Sequence, residues 1–345
     1  MDSLADTVGD YGGDPTAIVN LFVDQPEILP YATLISARET GRPGFESLIG
    51  VYEWQRRPLL LLANGASLRG HHEILGRLRR AAAMRGDAPY LGVVDPGRLS
   101  VYRISLDDGT SNAAQVRLPS DERKAVIPFL ANRRPDAARQ NWIGDVVLRL
   151  LADCIGSLIT NGIRAEDAIS LVGRALFIRF LADRSLLTPG TLPPGYSDPT
   201  VLFDSLDAIA RTTEWLDDTF NGDFLPLSPA ALGGLNEHSI ERLGDVLRHA
   251  PGGQLHLQWR ESWDRLDFAQ IPVGVLSQAY ESYLKRHDPL AQRREGGYYT
   301  PQHIAELIVR GTFLALEREA TAHSARILDP AVGGVFSSLP PSDSL

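Results

Sequence analysis

Cysteine is nearly missing from this chain. Cys154 alone among 345 residues leaves no internal disulfide and no cysteine-rich zinc site. Its neighbours, Leu-Leu-Ala-Asp-Cys-Ile-Gly-Ser-Leu-Ile, read as the inside of a helix rather than the setting of an activated thiol. Lysine is almost as scarce. Only Lys124 and Lys285 occur, so all but two of 34 cationic side chains are arginine, the better donor for bidentate phosphate and guanine contacts. No run of about 20 apolar residues is present, and the first residues, MDSLADTVGDYGG, are acidic where a secretory leader would be basic and then apolar. A cytoplasmic chain without a membrane span is the expectation. A net charge of −9 argues against a protein that coats nucleic acid non-specifically, while leaving room for a local basic face. His71 and His72 lack further ligands at metal spacing and read as surface residues.

What is present is an ordinary globular composition, 43% hydrophobic and 22% charged, with length for roughly two or three domains. In the front region, 1–135, the stretches 57–63 (RPLLLLA, closed by Asn64-Gly65) and 90–104 (YLGVVDPGRLSVYRI) read as strands, the second folded at Asp95-Pro96-Gly97. Between them, 73–84 places Ile74, Leu75 and Leu78 on one helical face. Strand, helix and hairpin in that order predict a small α/β module. Nine arginines lie from Arg56 to Arg103, making this module locally basic, as a solvated face or a phosphate contact. Region 136–290 is predicted to be mainly helical. Ile143, Val146, Val147, Leu150 and Leu151 recur at helical spacing, and further helices are expected at 165–187, 201–215, 239–247 and 273–284.

A third region, 291–345, carries the chemistry. Gly296-Gly297-Tyr298-Tyr299-Thr300-Pro301 opens a helix predicted over 302–319. Thr300 suits the cap and Pro301 the first helical position, where no amide hydrogen is needed. Ile304, Leu307, Ile308, Gly311 and Leu314 are expected to face a core. About thirty residues later Ile327-Leu328-Asp329-Pro330-Ala331-Val332-Gly333-Gly334 reads as a short strand, 326–328, entering a glycine turn. Such a turn lets backbone approach a ligand closely, and an acidic residue at the strand end can accept from an ammonium group.

The two elements, in this order and at this spacing, resemble the S-adenosylmethionine-binding motifs of adenine-N6 DNA methyltransferases of restriction-modification or phage-defence type: type I modification subunits, type IIG enzymes and BREX-type enzymes. The resemblance implies an α+β, mainly helical chain. Its parts would be an N-terminal α/β module (1–135), a helical domain (136–290) and the truncated start of a Rossmann-like methyltransferase fold (291–345). It implies S-adenosylmethionine as cofactor. Thr300 and Pro301 would close its pocket from a helix N-terminus, Asp329 and Gly333 would line the methionine and ribose side, and Tyr298, Tyr299, Pro330, Ala331 and Gly334 would be further cofactor-binding residues. Double-stranded DNA is the implied partner, alongside other restriction or defence subunits, with Lys285, Arg286, Arg293 and Arg294 as candidate DNA contacts. The segments 174–187 and 275–284 resemble the helical lead-in of the same family.

The front module bears a weaker resemblance to the nuclease-like N-terminal domains of type I and type IIG restriction enzymes. A metal-dependent nuclease of that class needs acids and a lysine together on adjoining strands. With no lysine before Lys124, the module is expected to be degenerate, Glu53 and Asp95 serving as surface or turn carboxylates. The glycine turn is also one residue shorter than the Asp-Pro-Ala-x-Gly-x-Gly-x-Phe pattern, so weak cofactor binding is expected. The Asn-Pro-Pro-Tyr-type motif that grips the flipped adenine is not within these residues, and no catalytic residue is assigned. The expectation is a site-specific adenine methyltransferase relative that is inactive alone. A non-catalytic DNA-binding or assembly subunit of a defence complex is the alternative.

Overall fold

The computed structural model of the chain describes residues 2–23, 26–106, 114–119, 122–133, 143–220, 225–248, 263, 266–272, 274–275 and 282–283, with positions 304, 307–309, 311–312 and 315. Helix α1 (Asp2–Asp10) precedes strand β1 (Ile18–Asn20). Helix α2 (Ala32–Glu39) leads to a hairpin of β2 (Leu48–Trp54) and β3 (Arg57–Asn64). Asn64 then caps the one-turn helix α3 (Gly65–Leu68), its side-chain oxygen accepting from the Ala66 amide at 3.0 Å. Helix α4 (His72–Arg85) completes the crossover to β4 (Tyr90–Asp95), which runs parallel to β3. The turn Pro96-Gly97 joins β4 to antiparallel β5 (Arg98–Arg103). The strands lie in the sheet in chain order, β1 to β5.

The apolar run in β3 follows from its place at the centre of this mixed sheet. Leu59 to Ala63 are fully buried. Leu60 and Leu62 point to one face, packed with Val8 of α1 and with Ile127 and Leu130 of α5 (Val126–Asn132). Leu61 and Ala63 point to the other, against Leu34 of α2 and Leu75 and Leu78 of α4. A strand covered on both sides has no polar face to show, and each buried leucine stabilises the sheet by roughly 2 kcal/mol.

The sequence reading placed β3, α4, β4 and β5 and missed β1, β2 and the flanking helices. The loss of β2 has a local cause. Its hairpin turns on Gln55-Arg56, which take φ of +53° and +60°. Two such central residues are what a type I′ turn requires, and Asn-Gly is its usual signal. Neither residue announces it here.

Helix α6 (Ile143–Thr160) buries Ile143, Val146, Val147, Leu150, Leu151, Cys154, Ile155 and Leu158 on one broad stripe, as its spacing predicts. Helix α7 (Ala165–Asp183) packs against it and ends four residues before the predicted Leu187. The reason lies in its last turn. Asp183 is drawn into contacts outside the helix, Arg184 caps the end, and Ser185 takes a left-handed φ of +59°. Leu186 is left exposed while Leu187 folds back onto the core.

Helix α8 (Leu206–Phe220) begins later than the predicted 201, where a separate 3-10 turn, Pro199–Val201, is capped by Asp198. Helix α9 (Glu237–Leu247) begins two residues before the predicted 239, because Asn236 accepts from the Ser239 amide at 2.8 Å and so fixes the first turn. Positions 274–275 and 282–283 of the predicted 273–284 helix are helical. The helical core also takes in Ala83 and Met84 of α4 and Leu106. One hydrophobic cluster therefore crosses from the front α/β part to the helices. The architecture is mixed α/β.

Candidate functional site

The residues singled out for cofactor contact, Tyr298, Tyr299, Thr300, Pro301, Asp329, Pro330, Ala331, Gly333 and Gly334, lie outside the described residues. So do the DNA-contact candidates Lys285, Arg286, Arg293 and Arg294, the predicted strand 326–328, and Leu314. The structure does describe how the chain is held as it approaches them.

That approach is built on α7. Two arginines fall on its buried side, where the helical spacing would otherwise call for apolar residues. Arg174 donates from Nε to the Leu225 carbonyl at 3.0 Å and from Nη1 to the Thr213 carbonyl at 3.1 Å, and it pairs with Asp217 at 2.5 Å. One turn and a half later, Arg179 and Asp183 form an ion pair at 2.9 Å with both side chains 1% exposed.

A buried ion pair is retained at a desolvation cost unless its remaining hydrogen-bonding capacity is used. Here the Arg179 guanidinium and Asp183 Oδ2 turn theirs to backbone. Arg179 Nη1 donates to the carbonyls of Val246 at 3.1 Å and Arg248 at 2.7 Å, and Nη2 donates to the Leu266 carbonyl at 2.8 Å. Asp183 Oδ2 accepts the Phe268 amide at 2.8 Å. The pair thus fastens the end of α9 and the segment 266–268 to α7.

The fastening continues along the segment. Arg184 Nη2 donates to the Ile271 carbonyl at 3.0 Å while its guanidinium lies 4.3 Å from the Phe180 ring centroid, and burial holds its pKa below the usual arginine value. Asp267 forms an ion pair with Arg42, and its amide donates to Met84 Sδ at 3.4 Å. Trp263, Leu266, Phe268 and Ile271 are buried beneath these polar ties, and Tyr283 is buried further on. The chain therefore enters the region after 272 from a fixed position between α7, the end of α9 and the front module.

Beyond it, positions 304, 307–309, 311–312 and 315 are helical, inside the predicted 302–319 helix, and Thr312 Oγ1 donates to the Ile308 carbonyl at 2.8 Å. The expectation that Ile304, Leu307, Ile308 and Gly311 face a core is not met. Leu307 is 68% and Ile308 58% exposed, and Ile304 and Gly311 are exposed with them. Among the described residues, the helical cluster that takes in Trp263, Leu266, Phe268, Ile271 and Tyr283 includes none of them.

Residues 273–337 match the family model of N-6 DNA methylases. The match covers less than a fifth of the chain, and it starts where the buried approach segment ends. Within it fall both elements that suggested the family, Gly296 to Pro301 and Asp329 to Gly334, together with the exposed helix face. No solved structure matches the chain.

Strand β3 is leucine and alanine from 59 to 63, and the carboxylates weighed in the front module lie on its neighbours, Glu53 in β2 and Asp95 in β4. Glu53, expected at the surface, is half-buried because its Oε1 accepts the hydroxyl of buried Tyr31 at 2.7 Å. Burial, and this bond to a carboxylate, push the Tyr31 pKa up. Asp95 ends β4 at the turn, as expected, and pairs with Arg69 at 3.1 Å. Among the described residues no group of three or more His, Cys, Asp or Glu is placed to hold a metal ion, and His71 is exposed. Cys154 lies in the helical core, and burial pushes its thiol up to about 12. No helix among the described residues is long and apolar enough to cross a membrane.

The sequence reading missed Arg174, Arg179, Asp183 and Asp267. A signal for the first three was present: charged residues recurring on the apolar side of a helix, with Asp183 four residues after Arg179. Asp267 carried none.

Proposed function

We propose that this chain is a DNA adenine-N6 methyltransferase-like protein of restriction-modification or phage-defence type. In this reading 1–135 is a front α/β module, 136–290 a helical domain and 291–345 the start of the methyltransferase domain. The observation that carries it is the N-6 DNA methylase match over 273–337, which spans both motif elements. S-adenosylmethionine is the cofactor. Asp329 and Gly333 would line its methionine and ribose side, the carboxylate accepting from the ammonium group, Thr300 and Pro301 would close the pocket from a helix N-terminus, and Tyr298, Tyr299, Pro330, Ala331 and Gly334 would be further cofactor contacts. This donor set, a carboxylate beside a glycine turn, suits a cationic amino-acid group. The helical part fixes where the chain enters the cofactor region, and Lys285, Arg286, Arg293 and Arg294 would be the contacts to the phosphates of duplex DNA, the proposed substrate.

The test is photo-crosslinking of tritiated S-adenosylmethionine to the full chain at millimolar cofactor, followed by peptide mapping. Label on peptides containing 298–301 or 329–334, lost in Asp329→Ala, is expected. Absence of label, or label unaffected by Asp329→Ala, would overturn the assignment.

A further inference from the structure

The outer edge of the front sheet carries cations that lie outside the 273–337 match. After β5, the chain returns along it: Tyr102 bridges Gln115, and the Val116 amide donates to the Val101 carbonyl at 2.8 Å. The return runs antiparallel to β5, and Arg98 is exposed beside buried Leu99 and Ser100. Two shallow depressions adjoin there. One is lined by Arg98 and Arg117 with Tyr11 and Gln115, the other by Arg123 and Lys124 with Asp10 and Glu122.

Arg123 joins the two depressions, its Nη1 reaching the Gly97 carbonyl at 3.5 Å and its guanidinium lying 5.9 Å from the Tyr11 ring centroid. The backbone beneath is fixed. Ile127 donates to the Tyr11 carbonyl at 3.0 Å, and Gly12, at φ +80°, lies so close to Lys124 that a Cβ there would meet its carbonyl oxygen at 1.8 Å.

Arg98, Arg117, Arg123 and Lys124 are all exposed, and none forms an ion pair among the described residues. In a chain of net charge −9 such a concentration runs against the bulk. Asp10 and Glu122 stand at the Lys124 end, and Asp95, opposite Arg98 across β4 and β5, is paired with Arg69, so among the described residues the least offset cations are Arg98 and Arg117. The cations follow an edge across two open depressions instead of converging on one cavity, which fits a linear polyanion better than a small anion. Exposed guanidiniums with an amide beside them are phosphate donors.

We propose that this edge, through Arg98, Arg117, Arg123 and Lys124, contacts the phosphate backbone of duplex DNA. The choice of DNA as the polyanion rests on the methyltransferase reading; the surface itself lies outside the matched stretch.

The test is binding of a fluorescent 30-base-pair duplex to the full chain, by anisotropy, as a function of salt. Arg98→Ala/Arg117→Ala, which removes side chains with no hydrogen bond among the described residues, is compared with Arg211→Ala, an exposed arginine of α8. The double variant is expected to weaken binding and to lower the slope of log K against log salt by about 2, one for each phosphate no longer neutralised, with circular dichroism unchanged. Arg211→Ala is expected to leave the slope unaltered. An unchanged slope in the double variant, or no duplex binding by the parent chain, would overturn the proposal, while the crosslinking experiment reads the cofactor assignment separately. Retention of poly-glutamate in place of the duplex, abolished in the same variant, would assign the edge to an acidic protein and overturn it as well.

Discussion

Arg179 satisfies three carbonyls from two separate segments, and this sets it apart from an ordinary buried ion pair. Replacing both members of a buried pair by apolar residues is often neutral, because desolvation of the two charges is recovered. That recovery is out of reach here, since the carbonyls of Val246, Arg248 and Leu266 would lose the guanidinium donor. Arg179→Met is expected to cost about 3–5 kcal/mol, and Arg179→Met/Asp183→Leu is expected not to restore the loss. Urea unfolding of the two variants checks this, and a double variant as stable as the parent would show that the backbone ties carry little. Cys154 makes a second residue-scale prediction. Burial raises its pKa to about 12 from an ordinary value near 9, so the folded state holds the proton more tightly than the unfolded one. The stabilisation from this group is complete below pH 9 and is lost as pH rises toward 12. Native Cys154 should therefore resist iodoacetamide at pH 8 and react at the rate of a free thiol once urea unfolds the chain. Rapid alkylation without unfolding would contradict its burial.

At the scale of elements, two glycines separate the causes of backbone restriction. Gly97, between β4 and β5, has φ +68° and open space around it, whereas Gly12 combines φ +80° with the Lys124 carbonyl where a Cβ would stand. Gly97→Ala is expected to cost about 1 kcal/mol, the strain of a left-handed alanine. Gly12→Ala should cost more, on the order of 3 kcal/mol or above, because α1 must also move away from the segment before α5. Thermal unfolding of both variants distinguishes the two, and equal losses would mean that the close approach at Gly12 relaxes freely. The same elements explain what could be read in advance. β3, α4, β4, β5 and α6 declare themselves by apolar run, helical spacing or a Pro-Gly turn, each a local property of the chain. β2 does not, because Gln55-Arg56 adopts a turn that its residues do not favour and the sheet enforces. The end of α7 escapes for a related reason: its continued apolar spacing argues for helix through Leu187, and only the amide of Phe268, 85 residues away from Asp183, argues against it. In the candidate site, the two motif elements were legible because they are contiguous strings. The arginine ties that hold the approach to them were not, being contacts between distant segments.

For the whole molecule, the decisive contacts are those that cross from the sheet to the helices. Composition and periodicity change near 135, which suggests two bodies that could unfold separately. The packing opposes that view. Ala83 and Met84, on the far side of α4 from the sheet, lie in the same hydrophobic cluster as α6, α7 and α9, and the Asp267 amide reaches Met84 Sδ at 3.4 Å. Arg42, between α2 and β2, pairs with Asp267 and also donates to the Asp183 carbonyl at 3.4 Å. The approach segment is therefore held from both sides, and loosening either side weakens the hold of the other. We expect the α/β part and the helices to unfold in one calorimetric transition. Met84→Ala should lower its midpoint, with a loss of about 2–5 kcal/mol from the cavity left at a shared core position. The proposed front-module and helical-domain division would then describe origin and shape rather than independent stability. Two resolved transitions, with only one of them shifted by Met84→Ala, would show that the shared cluster does not couple the two parts.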